Sequence, residues 1–482
     1  MPSNSYLGGL PVEILERIFL ELHYFDICSV KLLNHFVYGV VKQSSLIQYY
    51  IQLFLCGFHD DFSGRSAASL AARRDQLHTY WSRWSVLEPA ERTVVKLSGT
   101  LGANEFVGGL FSTVVGERRT SLHFIRLPSV SRGITQEEWT LDKLQMPIDG
   151  YTTDPSSDVL IVYEDQRITH SRIRLHILRA SNGEKHPKAL VPIINHPATG
   201  VSFFDISICG SQVCLCLGNP HPHDTLVWEW TTGKLIFNYR ERDYSAFLFP
   251  AEGRLLLAAC DRSQPSTDSH AVLELYDTSS TCDPGKLQCM FALPSRLDGR
   301  SSVEVYSGDS YHYNPSTFYT RPEDRILTIF VEETPELYQY PSHITLIVVF
   351  VSTLLRLSES RRFIAWEGWK RYAWVADNQE ADDLFNYGAF ISSSRIIHFG
   401  VPLRQRGVMT LEVTAFRPSL IERPLYMAGG GSDDSYDAEP RRLIGRKALL
   451  DMQVEDDDDT EVMMTEDNII LMTVEDPKLV QK

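Results

Sequence analysis

The chain lacks long apolar runs, paired cysteines and an excess of positive charge, and each absence removes a class of function. Its most apolar stretch, Ile344 to Leu355, is 12 residues long, short of the ~20 that a helix needs to cross a bilayer. Arg356 closes it, and its β-branched content predicts a buried strand. The first twenty residues have neither the basic start nor the small-residue cleavage site of an export signal. Eight cysteines are dispersed with no Cys-x-x-Cys pair. Cys209, Cys214 and Cys216 lie in apolar segments, where a free thiol behaves as a small hydrophobe. The expected compartment is therefore reducing, cytoplasmic or nuclear.

Lys and Arg number 46 against 62 Asp and Glu, a net charge of −16. That balance argues against a phosphate-reading surface, which needs clustered cations, so no nucleic-acid partner is expected, and no membrane partner either. The acid is uneven: residues 432–482 hold 15 acids and 6 bases, a net of −9, which leaves −7 for the rest. Catalytic signatures are missing as well: no G-x-S-x-G elbow, no H-E-x-x-H zinc helix and no phosphate-binding G-x-x-x-x-G-K-[ST] loop. His221-Pro222-His223-Asp224 reads as a loop between strands that lacks the further ligands a metal needs. His59-Asp60-Asp61 reads as a solvent-facing loop. No catalytic residue, metal or cofactor is expected.

What is present begins with a helical cassette. Pro11 suits the first turn of a helix, and Glu13 and Glu16 suit the positive end of its dipole. Ile14, Leu15, Ile18, Phe19 and Leu22 recur at helical spacing. Asp26 is placed to cap a second helix carrying Ile27, Val30, Leu33, Val37 and Val40-Val41, with Leu32 and Phe36 on an adjoining face. A break at Ser44-Ser45 precedes a third helix, from about Leu46 to Leu55. Ser66 is placed to cap a further helix to about Trp84, with Leu70, Leu77, Trp81 and Trp84 on one face and Arg73 and Arg74 off it. A cassette this small buries its own apolar surface poorly, which points to completion on another protein.

From about Thr93 the texture becomes β. Val159–Tyr163, Val213–Leu217 and Leu255–Ala259 read as buried strands, each followed by a second strand, Ile173–Leu178, Leu226–Trp230 and Val272–Tyr276, and a polar turn. Equivalent positions Ile177, Trp228 and Tyr276 are 51 and 48 residues apart. Two central strands and a turn repeating near that period describe a propeller blade; an irregular pair of β-sandwiches is the alternative. Segments 326–331, 344–351, 395–399 and 408–416 continue the pattern. The segments 461–465 and 469–474 read as a hairpin that closes the ring, with the acids Asp456 to Asp459 at a turn. The predicted fold is α+β and multidomain: a helical domain at 1–56, a helical spacer at 57–92, and a mainly-β, propeller-like domain of seven or eight blades at 93–482.

The order Leu10-Pro11, Glu13-Ile14-Leu15, Ile18-Phe19, Leu22, then Asp26 and a mixed apolar helix resembles the F-box over roughly residues 7–50. Phe36 is the nearest aromatic where many F-boxes carry a Trp, and the general texture resembles F-box proteins of large fungal families. The Val227-Trp-Glu-Trp-x-Thr-Gly-Lys234 segment resembles the end of a WD-repeat blade. The resemblance implies a substrate-recognition subunit of an SCF-type cullin–RING ubiquitin ligase. Its partners would be the Skp adaptor and an unknown target protein, and the chain would not itself be an enzyme. By resemblance and spacing, the adaptor-facing candidates are Leu10, Pro11, Ile14, Leu15, Ile18, Phe19, Leu22, Ile27, Leu32 and Phe36. Trp366, Trp369, Arg371 and Tyr372, an aromatic and basic stretch, are candidates for the target, with packing of these aromatics in the blade core as the other reading. A Skp-binding scaffold outside ubiquitination and a propeller enzyme are the other readings.

Overall fold

A computed structural model describes residues 9–22, 24–60, 69–89, 101–116, 118–129, 134–142, 144–166, 170–197, 202–218, 222–239, 244–260, 271–279, 285–294, 299–307, 318–320, 324–335, 342–377, 390–392, 395–399, 408–416, 444–453, 460–464 and 469–473.

Five helices come first: α1 (Val12–Leu20), α2 (Tyr24–Val30), α3 (His35–Gln43), α4 (Ser45–Cys56) and α5 (Leu70–Val86). Pro11 stands just outside α1 as its cap residue, and its carbonyl accepts from the amides of Ile14 and Leu15. The second predicted helix is two. Leu32 and Leu33 bond back to Ser29 and Val30 in a tight turn, and the Asn34 side chain accepts from the Val37 amide at 2.8 Å to start α3. Asp26 therefore lies in the first turn of α2 and is not its cap. Ser44 caps α4 through the Ile47 amide, as its position predicts. Ser69 caps α5; Ser66 lies outside the described residues. Leu15, Phe19, Ile27, Val37, Val40, Val41 and Ile47 form one core shared by α1 to α4.

Among the described residues six four-stranded antiparallel meanders follow, and the chain traces each in order. The first is β1 (Leu101–Val107), β2 (Leu110–Val115), β3 (Ser121–Arg126) and β4 (Glu137–Leu141); the second is β5 (Gly150–Asp154), β6 (Val159–Gln166), β7 (Arg172–Arg179) and β8 (Ile193–Pro197). The third is β9 (Ser202–Cys209), β10 (Gln212–Gly218), β11 (Pro222–Glu229) and β12 (Lys234–Tyr239). The fourth is β13 (Tyr244–Ala251), β14 (Arg254–Cys260), β15 (Ala271–Asp277) and β16 (Lys286–Ala292).

In the fifth, β17 (Gly299–Ser307), β18 (Ile326–Pro335) and β19 (His343–Phe350) are followed by an insertion before β21 (Trp374–Asp377). The insertion holds α6 (Val351–Ser358), β20 (Phe363–Ile364), α7 (Trp366–Trp369) and a 3₁₀ turn at Lys370–Tyr372. The sixth is β22 (Phe390–Ser392), β23 (Arg395–Phe399), β24 (Val408–Phe416) and β25 (Ile444–Gln453). A two-stranded sheet, β26 (Thr460–Met464) with β27 (Ile469–Thr473), ends the series.

The run Ile344 to Leu355 is thus a strand only to Phe350. The Val351 amide turns to the Arg325 carbonyl at 3.0 Å, and Val351 and Leu354 bury one face of α6. Pro222 opens a strand, so His223 and Asp224 belong to β11 and not to a loop; His221 lies outside the described residues. So does the Asp456–Asp459 run, which stands between β25 and β26 in the sequence.

First strands of successive sheets lie side by side: β1 by β5, β5 by β9, β9 by β13, β13 by β17, β17 by β22 and β22 by β26. Ile470 of β27 packs against Phe106, Phe111 and Ile125 of the first sheet. The order is that of propeller blades. It explains the continuous apolar runs, because each middle strand is buried on both faces. Val159, Ile161 and Tyr163 pack toward the third sheet, whereas Leu160 and Val162 pack toward the first. Val213, Leu215 and Leu217 pack toward the second, whereas Cys214 and Cys216 pack toward the fourth. The Thr231-Thr232-Gly233 turn needs its glycine: Gly233 has φ +74°, and a Cβ there would lie 2.8 Å from the Val191 Cβ.

Candidate functional site

The cassette divides its apolar residues between two faces. Leu15 and Phe19, four apart on α1, are buried and meet Ile27, Val37 and Ile47. Ile14 and Ile18, also four apart on α1, form a ridge that is 42% and 40% exposed, and Leu10, just before the helix, is 36% exposed. Leu32 at 80% and Leu33 at 64% project from the turn between α2 and α3, and Phe36 and Tyr38 are exposed on α3. Val12 joins the exposed set on α1. Eight large apolar side chains between Leu10 and Tyr38 therefore face outward from a cassette whose core is already filled. Clustered apolar exposure of this kind is more than the scattered apolar residues usual on a monomer surface.

Of the ten cassette residues singled out in the sequence, Leu10, Pro11, Ile14, Ile18, Leu32 and Phe36 are exposed. Leu15, Phe19 and Ile27 are not surface residues: they hold the core, and Leu22 packs half-buried against it. Both faces are apolar, so helical spacing alone does not say which one turns inward. Val12, Leu33 and Tyr38, which sequence reasoning left out, stand with the exposed set. An aromatic group joins α2 to α4. Tyr24 stacks on Phe54 with ring centroids 4.6 Å apart, and Phe25 meets both rings edge-on. Burial, then the hydrogen bond and charge of Cys28, push the Tyr24 hydroxyl up to about 12.

The predicted solvent-facing His59-Asp60 pair is instead the joint to the β domain. His59 pairs with Tyr319 through two backbone hydrogen bonds, and its Nε2 lies 2.6 Å from Asp324. Asp60 accepts from Arg73 at 2.7 Å and from the Tyr49 hydroxyl at 3.0 Å. Burial, then the charge of Asp60, raise the Tyr49 hydroxyl above its ordinary range, and Arg73 opposes them. Arg73, predicted to lie off the packed face of α5, is buried because Asp60 neutralises it there. Phe318 inserts among Phe58, Leu77 and Tyr80. Arg395 donates to the Tyr80 hydroxyl at 3.0 Å, and its guanidinium lies 4.3 Å from the Trp84 ring centroid. The partners Phe318, Tyr319, Asp324 and Arg395 all sit on connections between the first and second strands of the fifth and sixth sheets, or at their ends, so the helices dock on that rim.

The four candidates for target binding separate into scaffold and surface. Trp369 is fully buried, donates through Nε1 to the Ala292 carbonyl at 2.9 Å and packs on Phe291. Tyr372 is buried as well. Trp366 is half-buried, edge-on to Trp369, and Arg371 is exposed with its guanidinium over the Tyr372 ring. Trp369 and Tyr372 therefore position the segment and do not offer a contact surface.

No protein-family model matches the chain, and no curated protein matches its sequence. Among solved structures it is similar to the β-propeller domain of the Trilobed protease from Pyrococcus furiosus, at 8% identity over 67% of this chain and 82% of that one, with a TM-score of 0.35. It is also similar to the WD40 domain of SCAP from fission yeast, at 10% identity over 67% and 82%, with a TM-score of 0.29. A third likeness is to Hsv2 of Kluyveromyces lactis, at 10% identity over 61% and 77%, with a TM-score of 0.29. Among the described residues no helix is long and apolar enough to cross a membrane.

Proposed function

We propose that the chain is a substrate receptor of an SCF-type cullin–RING ubiquitin ligase. Its F-box-like cassette takes the Skp adaptor, and a seven-bladed propeller holds a target protein. The observation that carries this reading is the exposed ridge Ile14–Ile18, with Leu10, Leu32, Leu33 and Phe36 also exposed, outside a core that is complete without them. Pro11 and the run through Phe19 carry the F-box resemblance on the same helix. The chain performs no chemistry of its own in this reading, in the cytoplasm or the nucleus. It raises the effective concentration of a target lysine near the charged conjugating enzyme. The docked rim supports the same division of labour. The helices occupy connections between first and second strands, so the C-terminal ends of β6, β10 and β14 lie toward the opposite rim.

Co-expression with a Skp adaptor tests the reading. The wild type is expected to co-purify with the adaptor and, through it, with cullin. The combined Leu10→Ala, Pro11→Ala and Ile14→Ala variant is expected to lose both while keeping its circular dichroism. Failure of the wild type to bind, or unchanged binding by a folded triple variant, rejects the adaptor role. Adaptor binding without cullin assigns the chain to a scaffold outside ubiquitination.

A further inference from the structure

The insertion between β19 and β21 is out of character with the rest of the chain. Residues 351–373 carry five cationic side chains against two acids, a net of +3 in a protein of −16. One of the acids, Glu367, is already paired with Lys370. The side chains of Arg356, Arg361 and Arg362 are exposed and make no ion pair with the described residues. Phe363 is 56% exposed between Arg362 and the buried Ile364.

The segment is also held firmly. β20 adds to the outer edge of the fourth sheet in parallel with β16, and the Met290 amide donates to the Arg362 carbonyl at 2.9 Å. Ile364, Trp369 and Tyr372 bury its inner side. What faces outward from this anchored segment is four exposed arginines and one exposed aromatic ring.

We infer that this platform, Arg356, Arg361, Arg362, Phe363 and Arg371, is a docking surface for an acidic peptide segment of a partner protein, one with an apolar side chain among its carboxylates. Guanidinium groups take carboxylates in paired hydrogen bonds, and the half-exposed ring takes the apolar residue. Preorganisation on the sheet edge lowers the ordering cost of binding. A protein segment is favoured over nucleic acid or an anionic membrane for two reasons. The patch is small, and beyond a Debye length of about 8–10 Å an extended polyanion meets the net negative charge of the remaining surface. If this is where the target sits, that assignment rests on the receptor reading. The surface itself does not, and it is measured without the adaptor.

The test uses the full chain and a fluorescein-labelled peptide with a run of glutamates around a central leucine, read by fluorescence anisotropy. Saturable binding is expected, weakening at least about fivefold when salt rises from about 50 to about 300 mM. Arg361→Glu with Arg362→Glu is expected to weaken it at least tenfold. The milder Arg361→Gln with Arg362→Gln and the single Phe363→Ser, each with an unchanged melting temperature, are expected to weaken it at least threefold. Absence of wild-type binding, unchanged affinity in the folded Gln pair, or tighter binding to oligothymidylate or to phosphatidylserine vesicles overturns the inference. Failure of the wild-type chain to bind the adaptor, with peptide binding intact, rejects the receptor reading alone.

Discussion

The imidazole Nε2 of His59 lies 2.6 Å from the Asp324 carboxylate, although the two residues are 265 positions apart in the chain. Their contact, with the backbone bridge from His59 to Tyr319, fastens the helices to the β domain. His59→Ala is expected to cost about 1–3 kcal/mol. The amides of His59 and Tyr319 should exchange faster, while the cores of the second and third sheets keep their protection. Denaturant titration and hydrogen exchange read the two effects separately.

Arg395 fastens the second point of that joint. Its guanidinium hydrogen-bonds the Tyr80 hydroxyl and lies over the rings of Tyr80 and Trp84. Arg395→Met should lower stability by about 1–3 kcal/mol, and Arg395→Lys should recover only part of it, because an ammonium lacks the planar fork. Thermal melts of the two variants, compared with Trp84→Leu, check the assignment.

Neighbouring residues on α1 should respond in opposite ways. Leu15→Ala opens a cavity in the cassette core and is expected to cost about 2–5 kcal/mol. Ile14→Ala removes a side chain that is 42% exposed and should change stability by less than about 0.5–1 kcal/mol. Denaturation of each variant, followed on the helical signal, decides whether the two faces are as assigned.

A pH-dependent contribution comes from Glu164, which accepts from His176 at 2.8 Å, with Arg174 at 3.6 Å. Burial by itself would raise this carboxyl. The hydrogen bonds of His176 and Gln166 and the charges of His176 and Arg174 outweigh burial and hold it below its ordinary value of 4.5. A carboxyl lowered on folding stabilises the folded state above its unfolded pKa and loses that contribution as pH falls through the folded one. Glu164→Gln should therefore be less stable than the wild type near neutrality, and the difference should shrink below about pH 4.5. Urea titrations across that range read it.

The strands were legible for a physical reason. Val159–Tyr163 and Val213–Leu217 are buried on both faces, and only such strands carry unbroken apolar runs. The spacing of Ile177, Trp228 and Tyr276 then reported the repeat. The turn at Lys31–Asn34 was hidden because Leu32 and Leu33 are apolar yet exposed, and Asn34 was the one local sign of a new helix. Which apolar row of α1 faces outward depends on the position of α3 and α4, which the spacing does not encode. The joint was invisible because its partners, Asp324 and Arg395, come from loops and strand ends hundreds of residues away.

Ile470 meets Phe106, Phe111 and Ile125 only after five sheets have been threaded between them. During synthesis the first sheet emerges early, and its apolar seam waits uncovered until nearly all the rest has been translated. Closing so long a loop adds little equilibrium cost, since the penalty grows only with the logarithm of length. The delay is a different matter: a nascent chain carries a sticky edge for most of its time on the ribosome, which makes it a natural client for chaperones.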